Sequence, residues 1–175
     1  MPQQLQPTRG GRRSNGAGRR SASRLAAVQA LYQIDVTDTP AEAVMAEFLR
    51  YRLEPKRNGP TLGDADQRHF ADVVRGASRE RETIDRMLAS SLSEGWSLDR
   101  MDRVLCATLR AGAYELFGRA DIPARVVITE YVDVANAFFE GREPGFVNGI
   151  LDRLAHVLRP DEFAAPGAGT EPPAS

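Results

Sequence analysis

The chain has 175 residues and a net charge of −1, with 42% hydrophobic and 27% charged residues, values ordinary for one globular domain or two small units sharing a core. Its single cysteine, Cys106, excludes an internal disulfide framework and cysteine-rich zinc sites, and no apolar run approaches the roughly 20 residues a membrane-spanning helix needs. The charge is polarised: Arg9, Arg12, Arg13, Arg19, Arg20 and Arg24 precede the first acid, Asp35, and removing those six from 23 basic residues leaves 17 against 24 acids, or −7, over residues 35–175.

Such an asymmetry points to an acidic partner for the basic end. Every basic residue except Lys56 is arginine, which a high-GC genome explains without invoking function. A short apolar segment, Leu25 to Ile34, follows the arginines, but Gln29 and Gln33 interrupt it and no small-residue cleavage site comes after. The chain therefore reads as a cytoplasmic, unprocessed protein.

In chain order, residues 1–20 are rich in Gly, Arg, Ser and Gln and are expected to be disordered in isolation. A first helix is expected from Ser21 or Ser23, either of which can cap it, to near Val36, with Leu25, Val28, Leu31 and Tyr32 on its apolar face. Pro40 starts a second, carrying Val44, Phe48 and Tyr51 and ending before Pro55. The stretch "EPKRNGPTLG" reads as a break. Asp64 can cap a long third helix through Phe70, Val73, Ile84 and Leu88 to about Leu92, with a polar middle, "RGASRERE", where a bend fits.

After the punctuation "SEGWSLDRM" a fourth helix carries Met101, Leu105, Leu109 and Leu116, and its small residues Ala107, Ala111, Gly112 and Ala113 suit close approach of another element. Pro123 fits the first turn of a fifth, lined by Val127, Tyr131, Val134 and Phe138. "EGREPG" is a turn, and the last helix carries Val147, Ile150, Leu151, Leu154 and Leu158, with Gly149 expected at a tight packing point. The tail from Pro160 is expected to be disordered. The reading is all-α, with roughly six to seven helices in two packed subdomains, about 21–93 and 98–158, between a basic arm and a Pro/Gly-rich tail over 161–175.

Catalytic and cofactor chemistry find no support. His69 and His156 sit on helices of different halves, and one acid three residues before His69 does not make a metal site. Cys106 lies on an apolar face, the usual place of a structural cysteine. "GAG" at 16–18 lacks a preceding strand and a third glycine, and Lys56 is in no phosphate-binding loop. The sequence argues for a binding protein with no cofactor, metal or enzymatic activity.

Four stretches carry a resemblance: "RLAAVQALYQID" (24–35), "MDRVLCATLRAGAYEL" (101–116), "DIPARVVITEYVDVA" (121–135) and "FVNGILDRLA" (146–155). In this order and spacing they resemble the NusB transcription antitermination family over roughly residues 20–160. The resemblance implies a two-subdomain helical fold without enzymatic activity. It also implies a protein partner, NusE, a small-subunit ribosomal protein, with which the family binds boxA RNA. That binding occurs in the transcription elongation complex with other Nus factors, chiefly on ribosomal RNA operons. Some family members form homodimers.

The arginine-rich segment is where the family meets RNA, so Arg19, Arg20 and Arg24 are candidate contacts. Arginine suits that role independently, because its planar fork pairs with phosphate and stacks on exposed bases. Tyr32, two turns beyond Arg24, offers a stacking surface. Phe138 and Phe146 match family positions that line the RNA surface. A solvated tail for the arginines and core packing for the aromatics are the competing structural readings, and a helical protein-interaction scaffold is the competing function. Family members commonly carry acids and then a basic residue before Phe-Val-Asn-Gly. This chain reads "GREPGFVNG", with Arg142 among the acids and Gly145 at the basic position. Surface near Tyr114 and Glu115 is a candidate for the NusE contact, and Asn148 and Asp152 are expected to cap or bridge helices.

Overall fold

The computed structural model describes residues 16–53 and 65–165. Among them seven α-helices follow one another: α1 (Gly16–Thr37), α2 (Ala41–Tyr51), α3 (Gln67–Arg79), α4 (Arg81–Ser91), α5 (Arg103–Gly118), α6 (Ala124–Phe138) and α7 (Glu143–Leu158). Short 3-10 turns span Leu98–Arg100 and Pro160–Phe163. The expected cap Asp64, the loop "EPKRNGPTLG" and residues 1–15 and 166–175 lie outside the described residues. The all-α reading holds.

α1 begins at Gly16, earlier than its expected caps. Gly16 and Gly18 are poor helix formers, so tertiary contacts decide the boundary. The Arg19 carbonyl accepts from Asp66 N–H at 3.0 Å, and the single Ser21 hydroxyl hydrogen has Glu130 Oε2 at 2.7 Å and the Ala17 carbonyl at 3.0 Å as acceptors. Ser23 is fully buried and bonds back to the Arg20 carbonyl. Both serines are therefore inside the helix rather than at its cap.

The expected long third helix is two helices. Glu80 ends α3 and precedes α4, its N–H closing on Gly76 O while its own carbonyl accepts from Ile84 N–H. The break falls in the polar run, and α4 beyond it buries Ile84 and Leu88 in the core. Asp66 caps α3, accepting from His69 N–H at 3.0 Å. Asp102 caps α5 through Val104 and Leu105 N–H.

A continuous core cluster draws on every helix. α1 contributes Ala26, Ala27, Val28, Ala30 and Leu31, and Phe48 of α2 stacks on Phe70 of α3 with centroids 5.7 Å apart. α5 is central, buried on nearly all sides from Leu105 to Leu116. Its small residues are where close approach occurs: a Cβ on Gly112 would stand 2.7 Å from Leu151 Cδ1 and 3.3 Å from the Tyr131 ring. Gly149 does not mark a tight contact. A Cβ there would meet nothing within 4 Å.

Beyond α7 the described chain forms the 3-10 turn Pro160–Phe163, where the sequence reading expected the disordered tail to begin. Phe163 stacks on His156 at 4.0 Å and lies under the Arg125 guanidinium. Buried Arg159 donates to the carbonyls of Glu115, Leu116, Arg119 and Ile122, satisfying the C-terminal end of α5. Glu162 accepts from Arg159 and from Ala124 N–H at the start of α6.

Candidate nucleic-acid interface

The basic start of α1 opens on a cleft of about 450 Å³ lined by Arg19, Arg20, Arg24, Asp66, Asp121, Pro123 and Glu130, among others. Arg19 is exposed, and Arg20 is partly exposed with Nε 4.0 Å from Asp66 Oδ2. No acid occupies the first turn of α1. Positive side chains at a helix N-terminus oppose the helix dipole, so an anionic partner there relieves two unfavourable terms at once.

Arg24 has a different place. Its side chain is only 2% exposed, and its fork donates to both oxygens of Glu115, Nε to Oε2 at 2.9 Å and Nη2 to Oε1 at 3.0 Å. Its third nitrogen lies 3.5 Å from Glu130 Oε2, and His69 Nε2 approaches Glu115 Oε1 at 3.1 Å. Burial by itself pushes the Glu115 carboxyl up. The contacts from His69 and from the Arg24 fork outweigh it and bring the group down to about 2. Arg24 thus forms the floor of the cleft and holds the α1 backbone that presents Arg19 and Arg20. It is not an exposed cation.

Tyr32 and Phe138 meet at a second concavity, a groove of about 430 Å³ whose walls also include Val28, Gln29, Gln33, Val36, Arg52 and Val104. The two aromatics are 39% and 38% exposed, so neither is a plain core residue. The eight residues from Arg24 to Tyr32 span about 12 Å of helix. Between the two concavities the α1–α6 seam is lined by Ser21, Leu25, Glu130, Asp133 and Ala137, so its middle is acidic. Phe146 is not in this groove. It sits in the first turns of α7, half-buried, with its ring 5.4 Å from that of Trp96.

Two neighbours of the candidate residues escaped the sequence reading. Arg52, just past α2, reaches the Tyr32 groove while its guanidinium lies 4.7 Å over the Phe48 ring. No local pattern announces that. Trp96 had a signal, the one tryptophan of the chain in a Gly/Ser turn. Tyr114 and Glu115, candidates for a protein-contact surface, are buried at 5% and 0% exposure and so form no such surface themselves. Asn148 is exposed, and Asp152 faces His156 one turn along the same helix, so neither bridges two helices. Cys106 is buried, its thiol pushed up chiefly by desolvation, with Sγ 3.3 Å from the Leu98 carbonyl. Among the described residues no cluster of three or more His, Cys, Asp or Glu side chains could hold a metal, and no helix is long and apolar enough to cross a membrane.

Residues 21–156 match the model of the NusB family. The chain belongs to that family. The transcription antitermination protein NusB of Rhodopseudomonas palustris strain BisB18 is 50% identical over 148 residues, which cover 85% of this chain and 88% of the relative. That of Novosphingobium aromaticivorans is 50% identical over 140 residues, 80% of this chain and 95% of the relative. Among solved structures, NusB of T. maritima superposes with a TM-score of 0.68 at 31% identity, covering 82% of this chain and 96% of the other. A chain from a crystal structure of antitermination factors NusB and NusE in complex with dsRNA gives 0.66 at 26%, covering 79% and 96%. The protein is thus a NusB family transcription antitermination protein, and that family is not one of enzymes. The family match starts at Ser21, so Arg19 and Arg20 lie just outside the matched residues.

Proposed function

We propose that this NusB family protein binds boxA-type single-stranded RNA together with NusE, and acts with other Nus factors in the elongation complex to support transcription of ribosomal RNA operons. The observation that carries the reading is the α1–α6 seam. At one end Arg19 and Arg20 stand over the buried Arg24–Glu115 pair, and at the other Tyr32 and Phe138 share an open groove. Exposed arginines and half-exposed aromatics spaced along one seam match the two needs of single-strand binding, phosphate neutralisation and base stacking. A similar solved chain is found with NusE and dsRNA, which supports a shared RNA role.

Fluorescence anisotropy of a boxA-like RNA, with and without NusE, tests this. NusE should tighten binding. Arg19→Ala/Arg20→Ala should weaken it and flatten the dependence of log affinity on log salt by about 0.7 per lost phosphate contact. Equal binding by the double variant would make the arginines a solvated end, and no RNA binding by either form would leave a helical protein-interaction scaffold.

A further inference from the structure

The loop between α4 and α5 presents the chain's one tryptophan to solvent at 59% exposure. Its geometry is built rather than loose. Trp96 N–H donates to the Ser93 carbonyl, closing a turn whose third residue, Gly95, has φ +87°, a conformation that L side chains rarely adopt. On either side Leu92 and Leu98 pack against the core, and Arg153 of α7 donates to the Ser91 carbonyl. The indole is therefore held out from an anchored loop and leans on Phe146, with ring centroids 5.4 Å apart and planes at 36°. Beside Phe146, Gly145 leaves open space, since a Cβ there would meet nothing within 4 Å.

We propose that Trp96 and Phe146 form a composite stacking platform for a base of single-stranded RNA, with Trp96 its outer member. This rests on the RNA-binding reading above and extends it to a residue outside the α1–α6 seam. A planar base is the occupant the surroundings favour. The loop residues flanking Trp96, namely Ser93, Glu94, Gly95, Asp99 and Arg100, are exposed and polar or lack a side chain, so the loop adds no further apolar area to the pair. A protein partner needs a contiguous desolvated area of several hundred Å², whereas one base needs only a ring face. The anchored turn also spares the ordering cost that a mobile tryptophan would incur on binding.

Because Trp96 is the one tryptophan, emission excited beyond the absorption of the four tyrosines reports on it alone. Titration with unlabelled single-stranded boxA-like RNA should quench or shift that emission with the same midpoint as anisotropy of the labelled RNA. Trp96→Ala should weaken binding by about fivefold or more while leaving the salt slope unchanged, since stacking releases no counterions. Trp96→Phe should keep most of the affinity. RNA binding seen by anisotropy with the emission unmoved and Trp96→Ala at wild-type affinity would overturn the platform and leave the seam reading intact. Emission that responds to NusE alone and not to RNA would overturn it in favour of a protein contact. Absence of RNA binding in both readouts would remove the RNA reading and the platform together.

Discussion

Arg24 and Tyr32 lie on one helix, yet the chain uses them differently. A buried guanidinium is tolerable only when every donor finds an acceptor, and Arg24 finds its acceptors in Glu115 and Glu130. Replacing one partner strands the other. Glu115→Ala should therefore destabilise the protein by about 3–5 kcal/mol, read as a lower urea midpoint at neutral pH, because it leaves Arg24 charged and unpaired in the core. The same variant should also weaken the proposed RNA binding indirectly, through the α1 turn that carries Arg19 and Arg20. Tyr114 shows the steric counterpart. Its ring occupies the place of a side chain at Gly76, where a Cβ would come within 2.0 Å of it, and its hydroxyl donates to Asp72.

At the scale of elements, helix boundaries follow caps where a cap has backbone donors to serve, and tertiary contacts where it has not. Asp102 accepts from two N–H groups at the start of α5, the helix against which most others pack. Asp102→Ala should lower stability by about 1 kcal/mol, a fall in Tm of about 2–4 °C by differential scanning calorimetry. An unchanged Tm would mean that packing of α5 holds its first turn without the cap. α1 behaves in the opposite way. Its first turn is Gly-rich, and it is helical because Asp66 and Glu130 bind it from α3 and α6. That dependence places Arg19 and Arg20 under the control of two other elements.

Across the whole molecule, several carboxylates are held below their ordinary values, each by a contact between distant segments or at a helix end. Glu115 is brought to about 2 against burial, Asp66 is lowered mainly by the His69 N–H bond, and Glu162 mainly by the Ala124 N–H bond. A carboxylate with a depressed folded value stabilises the fold above its unfolded value and stops doing so as pH falls through the folded one. For Glu115 that window runs from 4.5 down to about 2. The urea midpoint of the wild type should accordingly be flat above about pH 5 and fall steadily towards pH 2. In Glu115→Gln the fall should be shallower. An equal slope in both proteins would show that Glu115 contributes nothing to the acid limb.

The sequence by itself determined the all-α class, most helix positions and the family, because 3.6-residue apolar periodicity and short motifs are local properties that survive without coordinates. It also offered Arg19, Arg20 and Arg24 as candidate phosphate contacts and Tyr32, Phe138 and Phe146 as candidate stacking residues, without separating them. Only the tertiary structure decided which of those residues face each other. Arg24 has the same spacing and charge as Arg20, and nothing local distinguishes them; its burial is set by Glu115, 91 residues away in the chain. Phe146 and Phe138 looked equivalent until α7 placed one against Trp96 and α6 placed the other against Tyr32. Gly112 and Gly149 differ likewise, one pressed by Leu151 and Tyr131 and one open. Periodicity says that a side chain belongs to a face. What that face meets depends on contacts between residues far apart in sequence, and those exist only once the helices have packed.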